Sequence, residues 1–148
     1  AMSLGSRRRD LMKHFAEVPE EPIAPLANNA LDNEFLQRMN SIIDANISNT
    51  DFNVNTLAEE MNVSRSGLFA KIKAITDVTP NEMIQVIRLK QAARLLAEGR
   101  YRINEVGYMV GFSSPSYFTK CFQKQFGMKP GDYVKKHANE SGRIRVRR

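Results

Sequence analysis

Side chains that could perform covalent or metal chemistry are few and widely separated in this 148-residue sequence. The single cysteine, Cys121, is expected to be a small, partly buried packing residue. The two histidines, His14 and His137, lie near opposite ends of the chain, and His137 is expected to be exposed beyond the last helix. A zinc site built on thiolates needs more sulfur than one cysteine supplies. Ser114 has no histidine near it in sequence that could act as its general base. We therefore expect no enzyme activity, no bound metal and no cofactor.

The basic side chains offer a different chemistry, the binding of an anionic partner. The chain holds 22 Lys and Arg against 16 Asp and Glu, a net charge of +6. Residues 139–148 form a basic tail that could contact phosphates or simply be a solvated end. No apolar run approaches the roughly 18 residues of a membrane span. Together with the single cysteine, this predicts a cytoplasmic domain, although the full-length protein could be anchored in a membrane.

The apolar spacing between residues 32 and 138 is helical throughout and indicates an all-α fold. The clearest start signal is a capping box, in which Thr79 caps the helix, Pro80 occupies its first turn and Glu82 lies three residues after the cap. Seven helices are predicted, at about 33–46, 54–61, from Ser64, 79–98, 103–109, 114–126 and from Pro130.

The middle of the chain contains the same unit twice, at 57–68 and 106–118. Each copy has a very small residue, then after four positions a residue that tolerates positive φ, and then an apolar anchor. The paired positions are Ala58 and Gly107, Asn62 and Gly111, and Val63 and Phe112. This order is typical of a helix-turn-helix, because the small residue allows a close helix crossing and the next two form the turn.

The second helix of each unit should bury one face and leave the other free to enter a groove. In the first copy we expect Leu68, Phe69 and Ile72 to point inward, with Val63 closing the small core beside them. Ser64 would cap this helix. One such unit is a weak signal, since helical hairpins share it, but two units flanking one capped helix favour DNA binding.

The rest of the sequence can be divided into segments on either side of the two helix-turn-helix units. The acidic, proline-punctuated stretch 20–25 is typical of a linker, so the structured part is predicted to be 32–138. The predicted divisions are a cloning remnant and interdomain linker at 1–31, a first helix-turn-helix subdomain at 32–82, a linker helix at 80–98, a second helix-turn-helix subdomain at 99–138 and the basic tail at 139–148.

Residues 103–112, followed by Ser116-Tyr117-Phe118 and by Lys129-Pro130, resemble the signature of AraC/XylS-type bacterial transcription regulators. The resemblance covers roughly 36–135. It implies two helix-turn-helix subdomains joined by a long helix, with both recognition helices entering successive major-groove segments on one side of the DNA. Three positions depart from the family pattern, namely Gly107 for a usual alanine, Gln123 for a frequent basic residue and Ala70 for a long polar one.

The first 36 residues carry a second resemblance. Arg7 to Phe15, the acidic linker and then Asp32 to Leu36 are similar to the join between a receiver domain and its output domain in hybrid two-component regulators. The chain would then be an output module in a phosphorelay, with its sensing and phosphoacceptor parts upstream.

The family pattern also implies which side chains contact DNA. Lys120 is the best candidate for a guanine edge, and Ala70 and the Thr119 methyl could pack on thymine methyl groups. Arg65, Lys73 and Lys124 are better suited to phosphates, together with the helix N-termini. The complete predicted set is Ser64, Arg65, Ser66, Gly67, Ala70, Lys71 and Lys73 in the first unit, and Ser114, Pro115, Ser116, Thr119, Lys120 and Lys124 in the second.

The partners implied by the resemblance are promoter half-sites in double-stranded DNA, upstream receiver and sensor domains, and the transcription machinery. The family favours an activator. The full-length protein should be a dimer, whereas the chain by itself should be a monomer. The residues alone leave one alternative open, a helical adaptor that binds another protein and uses DNA little.

Overall fold

In the computed structural model, the backbone is described for residues 4–141 and the side chains for residues 7–138. Eight α-helices and one short 3-10 turn make up this part of the chain, which has no strand. The helices are α1 (Leu4–Glu17), α2 (Ala30–Ala45), α3 (Val54–Met61), α4 (Arg65–Thr76), α5 (Pro80–Glu98), α6 (Ile103–Met109), α7 (Pro115–Phe126) and α8 (Pro130–Ser141), with the 3-10 turn at Ala24–Leu26. The predicted all-α fold is confirmed, and α2 to α8 are its seven predicted helices.

The helix ends follow from local capping chemistry. Thr79 accepts a hydrogen bond from the Glu82 backbone while the Glu82 carboxylate accepts one from the Thr79 backbone, so the predicted capping box begins α5. Gly99 ends α5 with φ +74°, and Gly127 ends α7 with φ +76°. Both glycines adopt the left-handed conformation that releases the chain from a helix.

The two helix-turn-helix turns share one backbone geometry. Asn62 and Gly111 have positive φ, 60° and 94°. The next residue in each turn, Val63 or Phe112, donates its backbone N–H to the carbonyl five positions earlier, at 3.0 and 2.9 Å. This bond satisfies a carbonyl that the end of the helix leaves free. The repeat seen in the sequence is therefore a repeat in structure.

Helix α5 belongs to two hydrophobic clusters. Its first half contributes Met83, Ile84 and Ile87 to a cluster with α1 to α4. Its second half contributes Leu89 and Leu96 to a cluster with α6, α7 and α8. The helix thus connects two groups of helices, each containing one turn of the repeat.

Arg88 adds polar contacts between these groups. Its guanidinium is buried and donates to the carbonyls of Ile47 and Asn49 in the loop after α2, at 2.9 and 3.0 Å. It also donates to the Val110 carbonyl in the second turn at 2.8 Å. One side chain therefore satisfies carbonyls from both halves of the fold, which fixes how one half sits against the other.

The structured part of the chain begins well before residue 32, so the predicted limit is wrong. Met12 and Phe15 of α1, together with Ile23 and Leu26, are buried in the first cluster. Ile23 and Leu26 lie in or beside the acidic, proline-containing stretch that predicts a linker, and Met12 and Phe15 lie among charged residues before it. Residues 1–3, within the predicted cloning remnant, lie outside the described part of the chain, and α1 begins at Leu4.

Two basic side chains of α5 hold this N-terminal segment. The Lys90 ammonium donates to the carbonyls of Phe15, Val18 and Glu21, and it lies 3.9 Å from the centre of the Phe15 ring. Arg94 donates to the Pro19 carbonyl through Nε and Nη2 at 3.1 and 2.8 Å. The Phe15 carbonyl belongs to the last turn of α1, where carbonyls have no partner within the helix, so Lys90 helps to cap α1. The other bonds hold the segment that follows the helix.

Three side chains differ from their predicted environment. Phe69 is 47% exposed and Val63 is 41% exposed, whereas both were expected to point inward. Leu68, Ile72, Ile75 and Thr76 fill the inner face of α4. Val63 makes the same backbone bond as Phe112, but only Phe112 is buried as an apolar anchor. His137 lies within α8, half-buried beside the Tyr133 ring at 4.1 Å, rather than beyond the last helix.

Candidate nucleic-acid interface

Helices α4 and α7 begin with the same arrangement of hydroxyl groups. Ser64 Oγ accepts from the Gly67 backbone N–H at 3.0 Å, and Ser114 Oγ accepts from the Tyr117 backbone N–H at 3.3 Å. A second serine follows in each helix, and its hydroxyl lies 3.4 Å from the cap in α4 and 3.1 Å in α7. The first N–H groups of a helix have no partner within it, so the backbone N–H of Ser66 and that of Ser116 are open to an anion, which the helix dipole also attracts.

Gly67 lies close to the Ser64 cap. A Cβ at position 67 would lie 2.9 Å from Ser64 Oγ, closer than real side chains approach. A side chain at this position would have to move the Ser64 hydroxyl slightly, whereas in α7 the same cap forms beside the Tyr117 side chain.

Each of the two helices presents one outer face at intervals of three and four residues. On α4 this face contains Ser66, Phe69, Ala70 and Lys73, all exposed. On α7 the positions fifty residues later are Ser116, Thr119, Lys120 and Gln123, of which Thr119 is half-buried and the others are exposed. Residues with this spacing share one side of a helix, so we call these sets the α4 face and the α7 face.

Other predicted contact residues lie beside these faces. Arg65 donates to the Asn55 side chain of α3 at 2.9 Å. Lys71 Nζ lies 5.1 Å from the centre of the Phe35 ring on α2. Pro115 occupies the first turn of α7 and is half-buried. Lys124 lines a cavity of about 320 Å³ between α1, α5 and α7, where Glu17 and Glu82 also line the wall.

The lysines on the two faces make no close ion pair within the described residues. Between residues 7 and 138 the close ion pairs join His14 to Glu21 and Arg100 to Glu98, so neither Lys73 nor Lys120 takes part in one. Lys73 makes a long contact of 3.4 Å to the Asp77 carbonyl at the end of its own helix. Their charges are consequently available to an external anion.

The α7 face rests on a continuous aromatic cluster. Phe118 packs against Phe112 and Phe122, with ring centres 5.3 and 5.9 Å apart, and Tyr133 of α8 lies 5.4 Å from Phe122. A Cβ at Gly107 would approach the Phe118 ring to 3.0 Å, so α6 crosses α7 at close range. The glycine that departs from the family pattern thus provides the close crossing expected of it.

Sequence inspection missed Phe69 as a member of the α4 face. The signal was present, because position 69 follows Ser66 by three, precedes Lys73 by four and corresponds to Thr119 in the repeat. Its aromatic side chain suggested the core instead.

The described residues contain neither a helix suited to crossing a membrane nor a cluster of three or more His, Cys, Asp or Glu able to hold a metal ion. Cys121, expected to be a packing residue, is buried against the aromatic cluster.

Comparisons with known proteins agree with this geometry. Residues 57–136 match a protein family described as "Helix-turn-helix domain". The chain is 39% identical over 133 residues to histidine kinase P4 of Formosa agariphila, covering 90% of this chain and 10% of the relative. It is 30% identical over 132 residues to the Msm operon regulatory protein of Streptococcus mutans, covering 88% of this chain and 47% of the relative. The chain thus spans less than half the length of either relative.

Among solved structures, the DNA-binding domain of AdpA, a global transcriptional factor in complex with a target DNA, superimposes with a TM-score of 0.66. The two chains are 26% identical, and the superposition covers 73% of this chain and 96% of that one.

Proposed function

This chain belongs to the AraC-type family of helix-turn-helix domains and is the DNA-binding domain of a transcription regulator, and from that premise we propose how it binds. Helices α4 and α7 enter successive major-groove segments on one side of double-stranded DNA. The observation that carries the proposal is the pair of matching faces, each beginning at a serine cap and each bearing an unpaired lysine.

A fixed distance between the two helices is needed for this mode of binding. Major-groove segments on one side of B-DNA recur about every 34 Å, so both helices fit only if their separation is held. Arg88 supports such a fixed arrangement, since it bonds to Ile47 on one side and to Val110 on the other. The shared helix α5 supports it as well.

Within the two faces, some residues contact bases and others contact phosphates. Lys120 donates to the O6 and N7 edge of guanine, which discriminates by about 1–3 kcal/mol when the geometry is good. Ser66, Ser116 and Thr119 hydrogen-bond to bases with less discrimination, while Lys73 and the two helix N-termini bind phosphates. Arg65, Lys71 and Lys124, which lie beside the faces, contribute charge toward the backbone instead of reading bases. The similarity to AdpA, whose DNA-binding domain was solved with a target DNA, supports binding to DNA.

The chain acts as the output module of a longer signalling protein. Two observations support this: its 39% identity to a small part of a histidine kinase, and the docking of α1 against α4, α5 and α7. An upstream domain joined to α1 could then influence both DNA-contacting helices. Two protomers, paired through upstream domains, bind repeated promoter half-sites and activate transcription, and their linkage raises the effective concentration of the second domain. The isolated chain binds as a monomer, without catalysis or a cofactor.

Selection from random duplexes, followed by fluorescence anisotropy on the selected sequence, tests this function. The wild-type chain should prefer the selected duplex over random DNA, and the logarithm of its affinity should fall steeply with the logarithm of salt concentration. Lys120→Ala should lower the affinity roughly tenfold or more and relax the preference for guanine at one position. Lys135→Ala, which removes the same charge from an exposed position on α8, is the matched control. Equal binding to selected and random DNA would refute the proposal.

A further inference from the structure

Phe69 is a large apolar side chain exposed in the middle of the α4 face. Nearly half of its surface, 47%, is accessible, and among the side chains of residues 7–138 it makes no contact with another aromatic ring. Its neighbours on the same face are Ser66, Ala70 and Lys73.

The core of the first subdomain does not require this ring. Leu68 and Ile72 are fully buried on the opposite side of α4, and Ile75 and Thr76 complete that inner face. An aromatic side chain exposed to water lacks the stabilisation that burial would give, about 25 cal/mol per Å² of apolar area. A bound partner that covers the ring would provide this stabilisation.

The equivalent positions of α7 carry different chemistry. Fifty residues after Phe69 and Ala70 stand Thr119 and Lys120. The centre of the α4 face is therefore apolar, whereas the centre of the α7 face donates hydrogen bonds. Because the centres of the two faces differ in chemistry, α4 and α7 should prefer different bases in the grooves that they enter.

In the major groove, thymine alone among the standard bases projects a methyl group, and phenylalanine and alanine are among the side chains that contact it. Ring stacking is the other way an aromatic residue can bind a base, but in a paired duplex the base faces are covered by their neighbours. The C5 methyl group is thus the apolar surface that intact duplex DNA offers to Phe69.

We propose that Phe69, assisted by Ala70, reads thymine methyl groups, so that the half of the site under α4 is specified by apolar contact. The half under α7 is specified by hydrogen bonds from Lys120. This inference rests on the proposed function and adds the base preference of one of its two helices. Because the contact is made by the ring edge and not by charge, it contributes to sequence preference without changing the salt dependence of binding.

Deoxyuridine is the probe for this contact, because it pairs as thymidine does but lacks the methyl group. After selection of a duplex, each thymine is replaced singly by uracil and the affinity is measured by anisotropy. At one or two positions the wild-type chain should lose about three- to fivefold in affinity, the amount expected for one buried methyl group. Those positions should lie about one helical turn from the guanine whose preference Lys120→Ala relaxes.

Phe69→Ala should weaken binding to the thymine duplex and make the uracil substitution neutral, while keeping the guanine preference and the salt slope. Phe69→Leu should retain part of the loss of affinity caused by uracil. This variant keeps the proposal testable if the alanine variant folds poorly. Tyr108→Ala, which removes another exposed aromatic residue (51% accessible) from α6, is the control and should leave the sensitivity unchanged.

Two results would overturn the inference while leaving the proposed function intact. One is sequence-specific binding with no uracil-sensitive position under α4, and the other is unchanged sensitivity in Phe69→Ala. The second would assign the exposed ring to a protein partner. Failure to select any sequence contradicts the proposed function itself, and the inference falls with it.

Discussion

The Arg88 guanidinium occupies the space that a side chain at Gly111 would fill. A Cβ built on Gly111 would lie 1.2 Å from Arg88 Nη1 and 2.5 Å from the Ile47 carbonyl oxygen. The same glycine has φ +94°, which L side chains rarely adopt. The turn of the second helix-turn-helix thus serves two purposes, since it reverses the chain and also admits the arginine that joins the two halves of the fold.

Gly111→Ala should lower the free energy of unfolding by about 3–5 kcal/mol. Positive φ contributes roughly 1–2 kcal/mol of this loss, and displacement of Arg88, which leaves buried carbonyls without a donor, contributes the remainder. Urea denaturation followed by circular dichroism measures it. Gly127→Ala is the matched control, because Gly127 has a similar φ of +76° but no atom within 4 Å of a built Cβ. A loss in Gly111→Ala no larger than that in Gly127→Ala would mean that Arg88 does not depend on this space.

Burial of Lys90 should make stability depend on pH in an alkaline window. Burial lowers the pKa of this amine to about 8, Arg94 adds to the lowering, and Glu21 and Glu20 oppose it. Between pH 8 and the unfolded pKa of 10.5 the unfolded chain binds more protons than the folded one, so the free energy of unfolding should rise with pH across this range.

Urea denaturation at several pH values, compared between the wild type and Lys90→Met, measures this contribution. The variant should lack the rise between pH 8 and 10.5 and should be less stable at pH 7, since three carbonyls near the end of α1 lose their donor. Identical pH profiles in the two proteins would contradict the assignment to Lys90.

Removal of residues 1–27 should destabilise the domain. The deletion uncovers the apolar surface that Met12, Phe15, Ile23 and Leu26 cover, and burial of such side chains stabilises by roughly 1.5–3 kcal/mol each before ordering costs are subtracted. We expect the free energy of unfolding to fall by about 3 kcal/mol or more, measured by urea denaturation. Unchanged stability would mean that the segment is a linker after all, as the sequence suggested.

Loss of a serine cap should weaken both the fold and DNA binding. Ser64→Ala removes the acceptor for the Gly67 N–H and should cost about 1 kcal/mol of stability. It should also weaken DNA binding, because the first turn of α4 becomes less ordered. Ser41→Ala, at an exposed position inside α2, is the control and should stabilise slightly because alanine is the better helix former. Equal effects of both changes would show that the cap has no special role.

Local chemistry explains which features could be predicted from the sequence. The Thr79–Glu82 capping box and the turns at Asn62 and Gly111 depend on nearby residues, and each is present as predicted. The docking of α1 depends on hydrogen bonds from Lys90 to carbonyls about seventy residues away. Every residue has a backbone carbonyl, so the sequence does not indicate which carbonyls accept these bonds. Phe69 was assigned to the core because an aromatic residue usually is buried, although its position in the repeat indicated the outer face.

The arrangement of α4 and α7 on DNA can be measured directly by cleavage from tethered iron–EDTA. Lys73→Cys and Gln123→Cys place the reagent at equivalent exposed positions of the two faces, and Cys121→Ala removes the native thiol. On a selected duplex we predict two cleavage centres about 10 base pairs apart, one from each variant, on the same side of the helix. Coincident centres, centres half a turn apart, or cleavage without a defined position would contradict the entry of both helices into successive major-groove segments.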